Sequence, residues 1–127
     1  MEFCTRNKGE DNISEHFKYK EFACKCFCDN YIISYDLIDA IEWVRNEIRS
    51  PIIINSGYRC PVRNRLIMGA DRSYHTMGMA VDFTTNAVRT NKDLLDKYKE
   101  IILKYNSKMN IIIYHDKGFI HFDVRHL

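Results

Sequence analysis

Ser73-Tyr74-His75-Thr76-Met77-Gly78-Met79-Ala80-Val81-Asp82-Phe83, read with Phe119-Ile120-His121-Phe122-Asp123 near the C-terminus, is the pair of segments around which the chain is organised. Met79, Val81 and Phe83 are apolar, with Ala80 and Asp82 between them. On a strand this alternation turns Asp82 away from the buried side. In the second segment Ile120, Phe122 and Val124 make one face and leave His121 and Asp123 together on the other. Two strands of one sheet would then present Asp82 and His121 on the same side. His75 lies in the turn leading into the first strand, where Gly78 relieves the backbone. Neutral imidazoles and carboxylates are zinc ligands, and two His with one Asp leave a fourth position for water, the composition of a catalytic rather than a structural zinc site. A lone His on a strand would not support this reading; the combination does.

The ordered pattern Ser-x-His-x-x-Gly-x-Ala-x-Asp followed by His-x-Asp resembles the zinc D-alanyl-D-alanine carboxypeptidase family, whose fold is shared by the hedgehog signalling domain. The resemblance extends over roughly residues 14 to 125 and includes Glu21-Phe22-Ala23-Cys24 and Ser56-Gly57-Tyr58-Arg59. It implies one zinc per chain held by His75, Asp82 and His121. It implies that Arg59 clamps a substrate carboxylate, a role suited to a guanidinium with two parallel donors. Ser73 stands where relatives use a hydroxyl to contact the bound peptide; a simple loop hydrogen bond is the equal alternative. Asp123, on the face of His121, is expected to orient a ligand without closing the site. Relatives place a Glu three residues before the final zinc His, where this chain has Gly118. Other branches of the fold place an acid or His five or six residues before that ligand, so the resemblance implies Asp116 or His115 as general base, with Asp116 preferred; turn chemistry is the plainer account of Asp116-Lys117-Gly118. Met68-Gly69-Ala70 departs from the Gly-Gly-Ala of relatives.

The 127 residues, 46% hydrophobic and 28% charged, are about one soluble domain. A net charge of +2 is too small to indicate nucleic acid as a partner. No apolar run suffices to span a membrane, and Met1 to Lys8 lacks the apolar segment of a signal peptide. The expectation is a monomer, cytoplasmic as made, with no membrane partner and with release to the cell wall in a phage or prophage context. The five Cys read first as reduced thiols. A disulfide or second metal site linking Cys24, Cys26 or Cys28 to Cys60 is the alternative, encouraged by Cys at similar places in relatives.

Residues 1–13 are polar and aperiodic and read as a flexible arm; 14–127 read as a single zinc peptidase domain. Phe17 and Phe22 are expected core anchors. Ser34 opens a helix with Leu37, Ile38, Ile41, Val44 and Ile48 on one stripe, stopped at Ser50-Pro51. Ile52-Ile53-Ile54 reads as a buried strand and Val62–Met68 as a short helix or turn. A second helix with Leu94, Leu95, Tyr98, Ile101, Ile102 and Tyr105 on one stripe is expected to start from a capping box at Thr90 and Asp93. Ile111–Tyr114 and the strand of His121 form a hairpin. The expected class is α+β, a small antiparallel sheet with helices packed on one face and the metal on the other. The expected function is a zinc metallopeptidase acting on bacterial cell-wall peptides, as a D-alanyl-D-alanine carboxypeptidase or a peptidoglycan endopeptidase such as a lysin. A zinc-stabilised binding module or a virion structural protein on the same fold is the alternative.

Overall fold

Two apolar helical stripes and one alternating sheet build the core. The computed structural model describes residues 2–4, 11–24, 31–67 and 73–127. Helix α1 spans Tyr35–Ile48 and buries Leu37, Ile38, Ala40, Ile41 and Val44, the one-sided spacing expected of a helix packed on a core. Ser34 is its N-cap, with the Ser34 carbonyl accepting from Leu37 and Ile38. Its C-cap is Arg49 at φ 58°, a left-handed residue that ends the helix just before Pro51. Helix α3, Leu94–Tyr105, buries Leu95, Tyr98 and Ile102. It packs on α1 and on the sheet.

The main sheet has β3 (Ile53–Ser56), β4 (Ala80–Thr84), β5 (Asn110–Tyr114) and β6 (Phe119–Asp123) in the order β3-β4-β6-β5, with every pair antiparallel. Val81, Phe83, Ile120 and Phe122 are almost fully buried between the sheet and the helices. Each such side chain contributes about 1.5–3 kcal/mol by leaving water. Phe17 and Phe22 close the end of this core edge to face, 5.7 Å apart. Short helix α2 spans Pro61–Leu66. Among the described residues no helix is long and apolar enough to cross a membrane.

Three features differ from the reading of the sequence. Glu2–Cys4 (β1), inside the segment read as an arm, pairs antiparallel with Tyr31–Ile33 (β2). Helix α3 starts at Leu94 rather than at Thr90, because the Thr90 hydroxyl donates back to Ala87 O and ends a 3₁₀ turn, Asn86–Arg89. Strand β3 runs on to Ser56, with a register irregularity between Ile54 and Ser56. Cys24 is buried, and the Cys60 amide donates to its sulfur at 3.3 Å. Cys26, Cys28 and residues 68–72 lie outside the described residues.

Candidate metal centre

The antiparallel register places Asp82 beside His121 on β6 and beside Ser56 on β3. His75 arrives from a 3₁₀ turn, Tyr74–Met77, that precedes β4. Ser73 caps this turn: its Oγ accepts from the His75 amide at 3.2 Å, and its carbonyl accepts from the Thr76 amide and hydroxyl. At its other end Gly78 adopts φ 68°, and its carbonyl accepts from the Ser34 amide at 2.8 Å. The turn is thus fastened to the start of α1.

One ligand atom from each of His75, Asp82 and His121 lies within 4.8 Å of the others. His75 Nε2 is 3.3 Å and His121 Nδ1 2.8 Å from Asp82 Oδ1. Ligand atoms about 2.0–2.1 Å from a tetrahedral zinc stand about 3.3 Å from one another, so the set fits that ion with small adjustment. The hydrogen bonds on the far side of each ring decide which nitrogen faces inward. A carbonyl can only accept, so His75 Nδ1–H donates to Gly57 O at 2.9 Å, and the Nε2 lone pair is left for a metal. His121 Nε2–H donates to Asp123 Oδ2 at 3.0 Å and leaves Nδ1 inward.

Asp123 is fully buried and has further partners. Arg125 Nε and Nη2 donate to its two oxygens at 2.7 Å each, and Asn110 Nδ2 donates at 3.0 Å. The Arg125 guanidinium lies 4.1 Å from the centre of the Tyr74 ring, next to His75, so one cation braces both ligand-bearing segments. Burial pushes the Asp82 carboxyl up, but the His121 and His75 rings beside it outweigh this and hold it down at about 2. Burial pushes the His121 imidazole down, and the Asp123 and Asp82 hydrogen bonds raise it to about 9. Asp123 is held well below the carboxylate range by His121, Arg125 and Asn110 against the opposing effect of burial. His75, Asp82 and His121 thus offer two imidazoles and one carboxylate, a donor set suited to a divalent cation, with Asp123 behind His121.

Arg59 lies beside this cluster. Its Nη2 donates to Ser56 Oγ at 3.3 Å, its Nη1 to buried Asn64 Oδ1 at 3.0 Å, and its amide to His75 O at 3.0 Å. Asp116 and His115 are placed elsewhere. Both are exposed in the β5–β6 turn, beyond the Tyr114–Phe119 pair, and His115 Nε2 is 3.2 Å from Asp96 Oδ1 on α3. The structure does not bring either of them to the cluster. Four participants were not singled out in the sequence: the Gly57 carbonyl, Asn110, Arg125 and Tyr74. Arg125 continues the alternation of His121 and Asp123, a signal that was there to be read; a backbone carbonyl has no side-chain signature at all.

If Asp123 orients His121, Asp123→Asn should weaken zinc binding about 10- to 100-fold in competition against a chelating dye. Unchanged affinity would remove that role from Asp123.

The family model for Peptidase M15 matches residues 15–123, a span that holds the His75–Asp82–His121 cluster, Arg59 and Asp123. No curated protein and no solved structure matches the chain. Peptidases of this family are zinc-dependent, in keeping with the donor set. A match running from the Phe17 anchor through the cluster to the end of β6 makes this chain a member of Peptidase M15, the zinc D-alanyl-D-alanine carboxypeptidase family.

Proposed function

We propose that the chain hydrolyses peptide bonds of bacterial cell-wall peptides at or near D-alanine, using one zinc held by His75, Asp82 and His121. The observation that carries this reading is the position of Arg59, hydrogen-bonded to Ser56, the strand residue paired with Asp82. A zinc ion in this site would supply Lewis-acid polarisation of the scissile carbonyl and acidification of water. The rest falls to the protein. Gly57 O and Asp123 hold the two rings in position, so that no ligand has to reorient during the reaction. Arg59, pre-organised by Ser56 and Asn64, receives the terminal carboxylate of the substrate. Ser73 Oγ, while accepting from His75, can donate its hydroxyl proton to a peptide carbonyl.

Incubating the zinc-loaded protein with defined muropeptides and weighing the products is the direct test. Release of D-alanine supports the carboxypeptidase form, and internal cleavage the endopeptidase form. Inactivity on every wall peptide overturns the proposal. Arg59→Ala should keep its zinc and lose about ten- to a hundredfold in kcat/KM on a free D-alanyl-D-alanine terminus, the loss of about 1.5–3 kcal/mol. Wild-type rates in that variant would discard the clamp.

For proton transfer we propose Asp116, with His115 as the other candidate, both in the loop that leads to His121. Assayed separately with zinc content checked, Asp116→Asn or His115→Ala should cost about 10²- to 10⁴-fold. Full activity in both discards the assignment. The exposed placement of these two residues is also what favours the second reading, a zinc-stabilised binding module without turnover.

A further inference from the structure

A cavity of about 300 Å³ lies at the end of the sheet away from Arg59, and its lining includes Ile53, Thr84, Arg89, Lys92, Lys117 and Gly118. Ile53 and Thr84 are register partners across β3 and β4. Thr84 follows Asp82 by two residues, so it emerges from the same face of the sheet about 7 Å further along the strand. Lys117 belongs to that face as well. Its ammonium lies 5.6 Å from the centre of the Tyr114 ring, Tyr114 stacks on Phe119 at 4.7 Å, and Phe119 precedes His121 by two residues. A Cβ at Gly118 would meet only Val88 Cγ1, at 3.9 Å, so the turn leaves this space open.

The lining holds three cations and no acidic residue, in a chain whose net charge is only +2. Among the described residues none of the three has a carboxylate partner. Direction adds to this. Arg59 is tied to Ser56, beside Asp82, whereas the cavity lies toward Ile53 and Thr84, so the two basic sites flank the metal ligands along the strands. An extended peptide with its C-terminal carboxylate on Arg59 would run its N-terminal side across the metal face to the cavity. At about 3.3 Å per residue, the cavity begins two to three residues from the scissile bond.

We propose that this cavity is a distal subsite for a second carboxylate of the same substrate, borne by an acidic residue on the N-terminal side of the scissile bond and received by Arg89, Lys92 and Lys117. This rests on the peptidase reading. Selection here acts through charge, since a carboxamide of the same shape would leave the three cations unsatisfied.

The test uses two synthetic peptides ending in D-alanyl-D-alanine, identical except that a γ-linked glutamate three residues before the scissile bond carries either its free α-carboxylate or a carboxamide. The zinc-loaded wild type should favour the carboxylate about three- to tenfold in kcat/KM, through KM, with the preference shrinking as salt is raised. Arg89→Glu/Lys92→Glu/Lys117→Glu should abolish or invert the preference with zinc content unchanged. The neutral Arg89→Gln/Lys92→Gln/Lys117→Gln should level it, which keeps the test decisive if the charge-reversed protein folds poorly. Lys104→Glu, on the exposed side of α3, should leave the preference intact. Equal use of both peptides by the wild type, or a preference that survives the triple variants, overturns the subsite and leaves the peptidase reading standing. Cleavage of neither peptide by the wild type overturns both.

Discussion

Replacing His121 by alanine should empty the metal centre and lower turnover by about 10³-fold or more, because the loss of Lewis-acid catalysis is worth several kcal/mol. His75→Ala should do the same to zinc content, yet the two variants should differ in stability when metal-free. Removing the His75 ring orphans one buried acceptor, Gly57 O, at a cost of about 1–3 kcal/mol, and takes away only the longer, 3.3 Å contact to Asp82. Removing the His121 ring takes away the group that bridges Asp82 and Asp123, with contacts of 2.8 and 3.0 Å. Asp82 then keeps only the 3.3 Å contact with His75, and Asp123 keeps Arg125 and Asn110. That is a larger penalty, toward the roughly 3–5 kcal/mol of breaking a buried ion pair. Metal analysis, followed by urea melts in the presence of chelator, would check both halves. Full zinc content in either variant would sink the ligand assignment, and equal metal-free stabilities would sink the bridging role of His121.

The second large effect is expected at the glycine that closes the turn carrying His75. Gly78→Ala should destabilise the chain by more than about 4 kcal/mol, in the range reserved for backbone strain and clash. Left-handed backbone alone costs alanine about 1–2 kcal/mol. At Gly78 a Cβ would also be driven into the Ile32 carbonyl and lie 2.8 Å from Ile33 N, and neither is the end of a flexible side chain. Relief would require the His75 turn to withdraw from β2, breaking the Ser34–Gly78 bond. Gly118 provides the control. Its φ of 76° is similar, but a Cβ there would make only an ordinary contact with Val88 Cγ1 at 3.9 Å, so Gly118→Ala should cost only about the conformational term. Thermal melts of the two variants side by side would separate strain from collision. Similar losses at both sites would show that the contact with Ile32 does not matter.

The polar face of β4 and β6, with Asp82, His121 and Asp123, follows from alternation, because side-chain direction on a strand is set by local backbone geometry. The stripes of α1 and α3 were readable for the same reason, and the spacing of the motifs pointed to the family. The local signal failed where two local options competed: Thr90 bonds back to Ala87 instead of capping α3. Other features exist only once distant segments meet. The inward-facing nitrogen of His75 is chosen by a carbonyl 18 residues away, and that of His121 by an Asp123 carboxylate that Asn110 and Arg125 also hold. The close approach of Phe22 to Gly57, where a Cβ would lie 2.7 Å from Phe22 Cα, has no periodic trace in either segment. The position of the β5–β6 turn, which leaves Asp116 and His115 exposed and Lys117 at a basic cavity, depends on strand order and on where α3 packs. The sequence by itself determined which residues share a face; the tertiary structure decided which atoms of those residues meet, because that depends on hydrogen-bond partners and chain packing that no local pattern encodes.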